Sequence, residues 1–158
     1  MQIKDLLRLA YNHATDNSQD ETTQVGALVV NNDGYICSLG TNVFVPGMIT
    51  QERPLKYRLV EHAEENAILL SAKIGFILKD KILISTWAAC PDCARAIYFS
   101  GIKKVISHKQ CYDRTPDRWK DDINLGLQIL KSGGVDYQLY DGKIGGCTNL
   151  FNGEEWLP

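Results

Sequence analysis

At 158 residues the chain is long enough for about one domain that buries a core without disulfide staples. Its content of 44% hydrophobic and 23% charged residues is that of an ordinary soluble globule, no apolar run approaches the roughly 20 residues of a membrane span, and the N-terminus lacks a signal-peptide stretch. The net charge of −2 and the lack of a basic stripe argue against a nucleic-acid partner, so we expect one cytoplasmic domain, residues 1–158, acting on a small molecule.

Hydrophobic spacing and turn residues predict an α/β architecture. In chain order we predict a helix at 3–14, a hairpin of strands at 25–30 and 35–39, a loop at 44–54, a helix at 61–74, a strand at 81–86, a helix at 90–99, a strand at 103–107, a helix at 121–130 and a strand at 135–140. A helix joins each of the last three strands to the next, so those strands should be parallel in a mixed five-stranded sheet with helices on its faces.

Three potential zinc ligands and one separate acid fall in two short segments. His62 and Glu64 stand two residues apart, and Cys90 and Cys93 form a C-x-x-C pair later in the chain. His62 and Cys90 each lie at the start of a predicted helix, and Cys93 follows one turn after Cys90, so all three can face one ion. A structural zinc site uses four protein ligands, whereas a catalytic site keeps a position for water. The segments therefore predict a hydrolytic zinc site in which Glu64 carries protons.

The same residues have other interpretations when taken singly. A C-x-x-C pair alone fits a redox site or half of a structural zinc site. The chain has five cysteines in all. Cys37, in a predicted strand, is expected to pack as a small hydrophobe, whereas Cys111 and Cys147, in predicted loops, could each supply a fourth metal ligand.

The H-x-E…C-x-x-C order is the signature of zinc-dependent nucleobase deaminases. The chain resembles the cytidine deaminase superfamily, and within it the deoxycytidylate (dCMP) deaminases, including viral ones. The resemblance covers about residues 1–140 and is carried by T-Q-V-G-A at 23–27, G-T-N at 40–42 with Pro-Gly at 46–47, H-A-E-E-N-A-I at 62–68, C-A-R-A-I at 93–97 and S-G-I-K at 100–103. It implies a three-layer α/β/α cytidine deaminase-like fold, a homo-oligomer, and zinc-dependent hydrolysis of dCMP to dUMP and ammonia.

The resemblance also implies contacts to the substrate. Asn42 would hydrogen-bond the sugar hydroxyl, the backbone of Ala63 would contact the base, and Tyr112 would stack on it, unless Tyr112 merely packs. A short basic run supplies candidates for the substrate phosphate or an allosteric nucleotide, with a solvated loop as the alternative. These candidates are Arg53, Lys56 and Arg58.

The chain departs from the family pattern at three places. Ala89 stands before the first cysteine, where the family has proline. Proline would make this turn rigid, so its absence is expected to loosen the turn. Trp87 is also unusual, and it either lines the pocket or packs in the core. The segment 48–58 has no cysteine or histidine, so we expect one zinc ion per chain, and it is short, which argues against regulation by deoxynucleoside triphosphates.

Rival functions remain at this point. The enzyme could act on another aminated base, such as a 5-substituted dCMP, dCTP, a nucleoside or guanine, or the chain could be a zinc-stabilised binding module without activity. The glycine-rich tail, residues 141–158, could close over the pocket or contact a neighbouring subunit, and Trp156 and Leu157 would suit an interface.

Overall fold

The computed structural model describes residues 2–158, and a single mixed sheet forms its centre. Its strands are β1 (Gly26–Val30), β2 (Ile36–Thr41), β3 (Ile82–Ser85), β4 (Lys104–His108) and β5 (Asp136–Tyr140), in the order β2-β1-β3-β4-β5. Strand β1 is antiparallel to β2 and β3, whereas β3, β4 and β5 run parallel. The predicted five-stranded sheet with its last three strands parallel is confirmed.

The described chain contains six helices. They are α1 (Ile3–Asn17), α2 (Leu55–Leu59), α3 (Ala63–Lys73), α4 (Pro91–Ser100), α5 (Lys109–Asp113) and α6 (Asp117–Ser132). The sequence did not predict α2 and α5, because a helix of five residues is too short to show a 3.6-residue period. No helix within residues 2–158 is long and apolar enough to cross a membrane.

Two hydrophobic cores, one on each face of the sheet, produce three layers. Ala27 and Val29 of β1 belong to the core beneath α3, α4 and α6, whereas Leu28 and Val30 belong to the core beneath α1. Successive side chains of a strand point to opposite faces, so one buried strand serves both cores. The predicted α/β/α arrangement is confirmed.

The tail, residues 141–158, folds back onto the core beneath α1. Strands β6 (Asn149–Phe151) and β7 (Glu154–Trp156) form an antiparallel hairpin. Trp156 is buried and stacks on His108, with ring centroids 6.0 Å apart, and the Arg114 guanidinium lies 4.4 Å from its ring. Trp156 is therefore a core residue, and its suggested place in an interface is wrong; Leu157 is exposed.

Close packing against β2 sets the position of α3. A Cβ atom at Gly40 would lie 2.3 Å from the Ala63 carbonyl oxygen and 2.4 Å from the Ala67 nitrogen. Only glycine permits this approach of two backbones. The first turn of α3 is thereby held against the sheet, directly after His62.

Candidate active site

The starts of two neighbouring helices bring the predicted metal ligands together. His62 is the N-cap residue of α3 and Cys90 is that of α4. His62 Nδ1 lies 3.4 Å from both Cys90 Sγ and Cys93 Sγ. Within residues 2–158 this is the one group of three or more His, Cys, Asp or Glu side chains whose ligand atoms, all within 4.8 Å of one another, are close enough to hold a metal ion.

The other cysteines do not join this group. Cys111 is buried in the core beneath α1, and Cys147 packs against the same core. Neither supplies a fourth ligand here. Cys37 is half-buried and packs against the opposite core, as a structural cysteine would.

The turn before Cys90 is fixed by packing. Ala89 is buried, and its carbonyl oxygen would lie only 2.1 Å from a Cβ atom at Gly126 of α6. Farther back, the Gly26 amide donates to Thr86 Oγ1 at 3.1 Å, which ties the end of β3 to β1. Close contact with α6 therefore restrains the turn that carries alanine where the family has proline.

Glu64 lies beside the three ligands without joining them. Its side chain is buried, and Oε1 accepts a hydrogen bond of 2.9 Å from the Ser85 hydroxyl. Its other oxygen, Oε2, lies 3.7 Å from Cys93 Sγ. Burial raises the pKa of the Glu64 carboxyl above its usual range, with His62 opposing the effect. The carboxyl can therefore both accept and return a proton next to a bound metal.

The electrostatics of the ligand group favour the thiolate of Cys90 and leave the protons on His62 and Cys93. The side chain of Cys93, followed by His62, lowers the pKa of the Cys90 thiol to about 4 against the effect of burial. Burial alone would lower the pKa of His62, yet Cys90 and Glu64 raise it to about 9. The thiolate is the form of cysteine that coordinates metals, so a metal ion replaces protons in this cluster.

A cavity of about 390 Å³ opens onto these groups. His62, Glu64, Cys90 and Cys93 line it together with Asn42. The Asn42 amide nitrogen donates to the Thr23 carbonyl oxygen at 2.9 Å, whereas its Oδ1 is buried with no hydrogen-bond partner among the described residues. A buried acceptor without a partner costs free energy until a ligand supplies a donor.

Aromatic side chains form much of the remaining wall. Trp87 and Phe151 meet edge to face with centroids 5.0 Å apart, and the Trp87 indole N–H donates to Thr115 Oγ1 at 2.9 Å. Tyr57 and Trp119 form a second edge-to-face pair at 5.1 Å. All four rings line the cavity. Trp87 therefore both packs and walls the pocket, the two roles between which the sequence did not decide.

The basic run predicted to read phosphate is divided by the structure. Arg53 lines the cavity, whereas Arg58 is exposed and lies outside its lining. Lys56 reaches the lining but is buried, with Nζ 2.6 Å from Asp20 Oδ1 and 2.7 Å from Thr22 Oγ1. Lys56 is thus held in an ion pair within the protein, which leaves Arg53 as the member of the run best placed to meet a ligand.

Two residues implied by the resemblance do not reach the cavity lining. Ala63 is fully buried in the first turn of α3, and Tyr112 lies on α5. Neither is among the residues that line the cavity. The aromatic surface there comes from the four rings described above, so a stacking role for Tyr112 has no support in this geometry.

The sequence missed several residues of the wall. Arg118 and Trp119 come from the first turn of α6, and Phe151 and Asn152 come from the tail hairpin. None of them stands in a motif with a chemical spacing. Only the packing of α6 and the hairpin around the cavity identifies them.

Comparisons with known proteins agree with this geometry. A family model described as the cytidine and deoxycytidylate deaminase zinc-binding region matches residues 1–109. The chain is 35% identical over 129 residues to an Aliivibrio fischeri protein named "uncharacterized deaminase in luxG 3′ region", covering 75% of this chain and 80% of that protein. It is 34% identical over 137 residues to human deoxycytidylate deaminase, covering 80% and 73%.

A solved structure gives the same result at the level of the fold. The dCMP deaminase of cyanophage S-TIM5, in complex with dCMP and dUMP, superposes with a TM-score of 0.68 at 27% identity, covering 88% of this chain and 95% of that chain. The family model matches residues 1–109, and the structure brings His62, Cys90 and Cys93 together. The chain therefore belongs to the cytidine and deoxycytidylate deaminase zinc-binding family and is a hydrolytic deaminase.

Proposed function

We propose that this protein converts dCMP to dUMP and ammonia. The observation that carries the proposal is the position of Glu64, a buried carboxyl that lines the cavity beside three metal ligands and is not itself a ligand. A structural zinc site has no use for such an acid. The relatives named deoxycytidylate deaminase, and the cyanophage enzyme in complex with dCMP and dUMP, support the choice of substrate.

The residues fit a single zinc ion. One imidazole and two thiols, one of them already favouring the thiolate, form a donor set that zinc prefers, and three protein ligands leave a fourth position open. When bound there, zinc supplies the Lewis acidity that lowers the pKa of a water molecule to about 7. The starts of α3 and α4 direct their positive dipole ends toward the same place.

Glu64 performs the proton transfers in this scheme. Ser85 fixes Oε1 by its hydrogen bond, which leaves Oε2 to take a proton from the attacking water. The carboxyl then delivers the proton to the ring nitrogen of cytosine, which makes the amino-bearing carbon more electrophilic. The oxygen of the water bonds to that carbon, and Oε2 then takes the remaining proton of the new hydroxyl group and delivers it to the amino group. The carbon–nitrogen bond breaks, ammonia leaves, and the hydroxyl oxygen becomes the carbonyl oxygen of dUMP.

The cavity wall orients the nucleotide. The unpartnered Oδ1 of Asn42 accepts a hydrogen bond from a sugar hydroxyl, which satisfies that buried atom. The Trp87 and Phe151 rings provide an apolar surface for the pyrimidine. A volume of about 390 Å³ lies within the usual range of small-molecule sites.

We also infer that the protein forms homo-oligomers. Phe99 of α4 is 81% exposed, and Leu69 of α3 and Ile74 at its end are exposed as well. Such apolar residues on two helices that contact each other suit an interface between copies. Light scattering of the purified protein tests this inference, and a monomer at micromolar concentration would contradict it.

Ammonia release from the zinc-loaded protein tests the proposed function. The panel contains dCMP, deoxycytidine, cytidine, 5-methyl-dCMP, dCTP, adenosine and guanine, with Glu64→Gln as the control for contaminating activity. We expect turnover of dCMP in preference to the others. Ammonia release from a different member would mean that the protein is a deaminase with another substrate. No ammonia release from any member, with zinc bound, would contradict an enzymatic role and favour a binding module.

A further inference from the structure

Four side chains form a continuous row along one wall of the cavity. The Arg53 guanidinium carbon lies 5.7 Å from the centre of the Tyr57 ring, Tyr57 meets Trp119 edge to face at 5.1 Å, and the Arg118 guanidinium carbon lies 5.8 Å from the centre of the Trp119 ring. All four line the cavity that holds the metal ligands. The two aromatic rings thus connect two cationic side chains from different parts of the chain, Arg53 from a loop and Arg118 from α6.

Neither guanidinium is neutralised within the described part of the chain. No carboxylate of residues 2–158 forms a salt bridge with Arg53 or Arg118, although Asp122 lines the same cavity. The third cation of the lining, Lys56, is paired with Asp20. The positive charge available to a ligand therefore belongs to the two arginines.

The tail hairpin holds Arg118 in place. Arg118 Nη2 donates a hydrogen bond of 2.5 Å to Oδ1 of Asn152, a neutral acceptor that leaves the positive charge uncompensated. Asn152 and Gly153 form the turn between β6 and β7, both with positive φ, at 52° and 80°. Two hydrogen bonds from backbone amides anchor this turn: the Asn152 amide donates to the Thr23 side-chain oxygen Oγ1 at 3.2 Å, and the Gly153 amide donates to the Thr22 carbonyl oxygen at 2.8 Å.

Guanidinium groups with unused donors at the wall of a cavity of about 390 Å³ match the geometry of a phosphate group. We propose that Arg53 and Arg118 form an anion clamp for the 5′-phosphate of the substrate and that Asn152 is the positioning residue for Arg118. This inference rests on the proposed function, because it assumes a nucleotide in the cavity. It gives the tail, residues 141–158, a role in substrate choice and transfers phosphate recognition away from Lys56 and Arg58.

Product binding tests the clamp without requiring turnover. Calorimetry on the zinc-loaded protein compares dUMP with deoxyuridine, which differs only in lacking the phosphate. We expect Arg118→Gln to weaken dUMP binding about tenfold to a hundredfold, the range for losing a hydrogen bond to a charged group, and to leave deoxyuridine binding within twofold. The matched control is Arg58→Gln, which removes an exposed arginine outside the cavity lining and should change neither affinity. Equal loss for both ligands would indicate a merely structural role and overturn the clamp, as would unchanged dUMP binding.

Two substitutions at the turn separate positioning from folding. Asn152→Gly keeps a residue that readily adopts positive φ and removes the acceptor, so it should raise the KM for dCMP with little change in kcat or in the melting temperature. Asn152→Asp keeps an acceptor but adds a charge that competes with phosphate, so it should raise that KM further. A KM that stays at the wild-type value in both variants would refute the role of Asn152.

Failure of the clamp and failure of the proposed function look different. A wild-type protein that deaminates deoxycytidine and dCMP equally well, and binds dUMP no better than deoxyuridine, keeps its deaminase chemistry and has no clamp. A wild-type protein that releases ammonia from no cytosine compound contradicts the proposed function, whereas the calorimetric comparison of dUMP with deoxyuridine still decides the clamp.

Discussion

Replacement of Lys56 by methionine should destabilise the protein severely. Lys56 Nζ and Asp20 Oδ1 lie 2.6 Å apart, and the two side chains are only 3% and 6% exposed. Removing one partner of a buried ion pair typically costs about 3–5 kcal/mol, since the other charge is left without compensation. Asp20 Oδ1 also accepts from the Thr22 and Thr23 amides at 2.8 and 3.0 Å, which places the expected loss near the lower end of that range.

Urea unfolding of the zinc-loaded protein measures this loss as a change in the free energy of unfolding. The double variant Lys56→Met, Asp20→Asn should recover part of it, because no charge then remains buried alone, and the double-mutant cycle gives the coupling between the two residues. A loss below about 1 kcal/mol, the value of a solvent-exposed pair, would refute the burial argument. If the KM for dCMP then rose at unchanged stability, Lys56 would be the phosphate ligand that the sequence suggested.

Three further predictions concern the site and its support. Glu64→Gln should retain zinc, measured by metal analysis, and lower kcat by about 10²–10⁴, since the proton carrier is lost; a near-wild-type rate would exclude the assigned role. Gly126→Ala should lower both the free energy of unfolding and zinc affinity, because the new Cβ atom would lie 2.1 Å from the Ala89 carbonyl oxygen; unchanged zinc affinity would show that the turn tolerates the shift. Burial lowers the pKa of His108, whose Nδ1 accepts a 2.7 Å hydrogen bond from the Tyr11 hydroxyl. The folded state therefore favours neutral His108, and stability should be present above about pH 6.5 and decline as the pH falls toward the lowered folded pKa. Urea titrations at pH 7 and pH 5 should show a smaller difference for His108→Gln than for wild type.

The sequence predicted that His62, Cys90 and Cys93 come together, because the information there is local. His62 and Cys90 begin helices, and Cys93 follows Cys90 by one turn, so their spacing alone indicates a common direction. The five strands of the central sheet were predicted within a few residues for a similar reason, since each is a short apolar run between turns.

What the sequence could not predict depends on partners that are distant along the chain. Lys56 looks like an accessible cation until Asp20, 36 positions away, is placed against it. The hairpin of the tail is anchored by contacts such as the Asn149 amide nitrogen donating to the Gln24 carbonyl oxygen, 125 positions away. Pairs at such separations leave no periodic signal, so short-range patterns do not reveal them.

One helix connects the two parts of the site. Helix α6 carries Arg118 in its first turn and Gly126 about two turns later, where it meets the Ala89 carbonyl oxygen beside the metal ligands. Because a helix of this length moves as a rigid body, displacement at Gly126 shifts the guanidinium as well as the turn before Cys90. Gly126→Ala should therefore weaken both zinc binding and dUMP binding, whereas Arg118→Gln, which leaves the helix in place, should weaken dUMP binding alone. With the proposed clamp, substitutions at the outer wall should change the affinity for phosphate while the metal ligands stay in place.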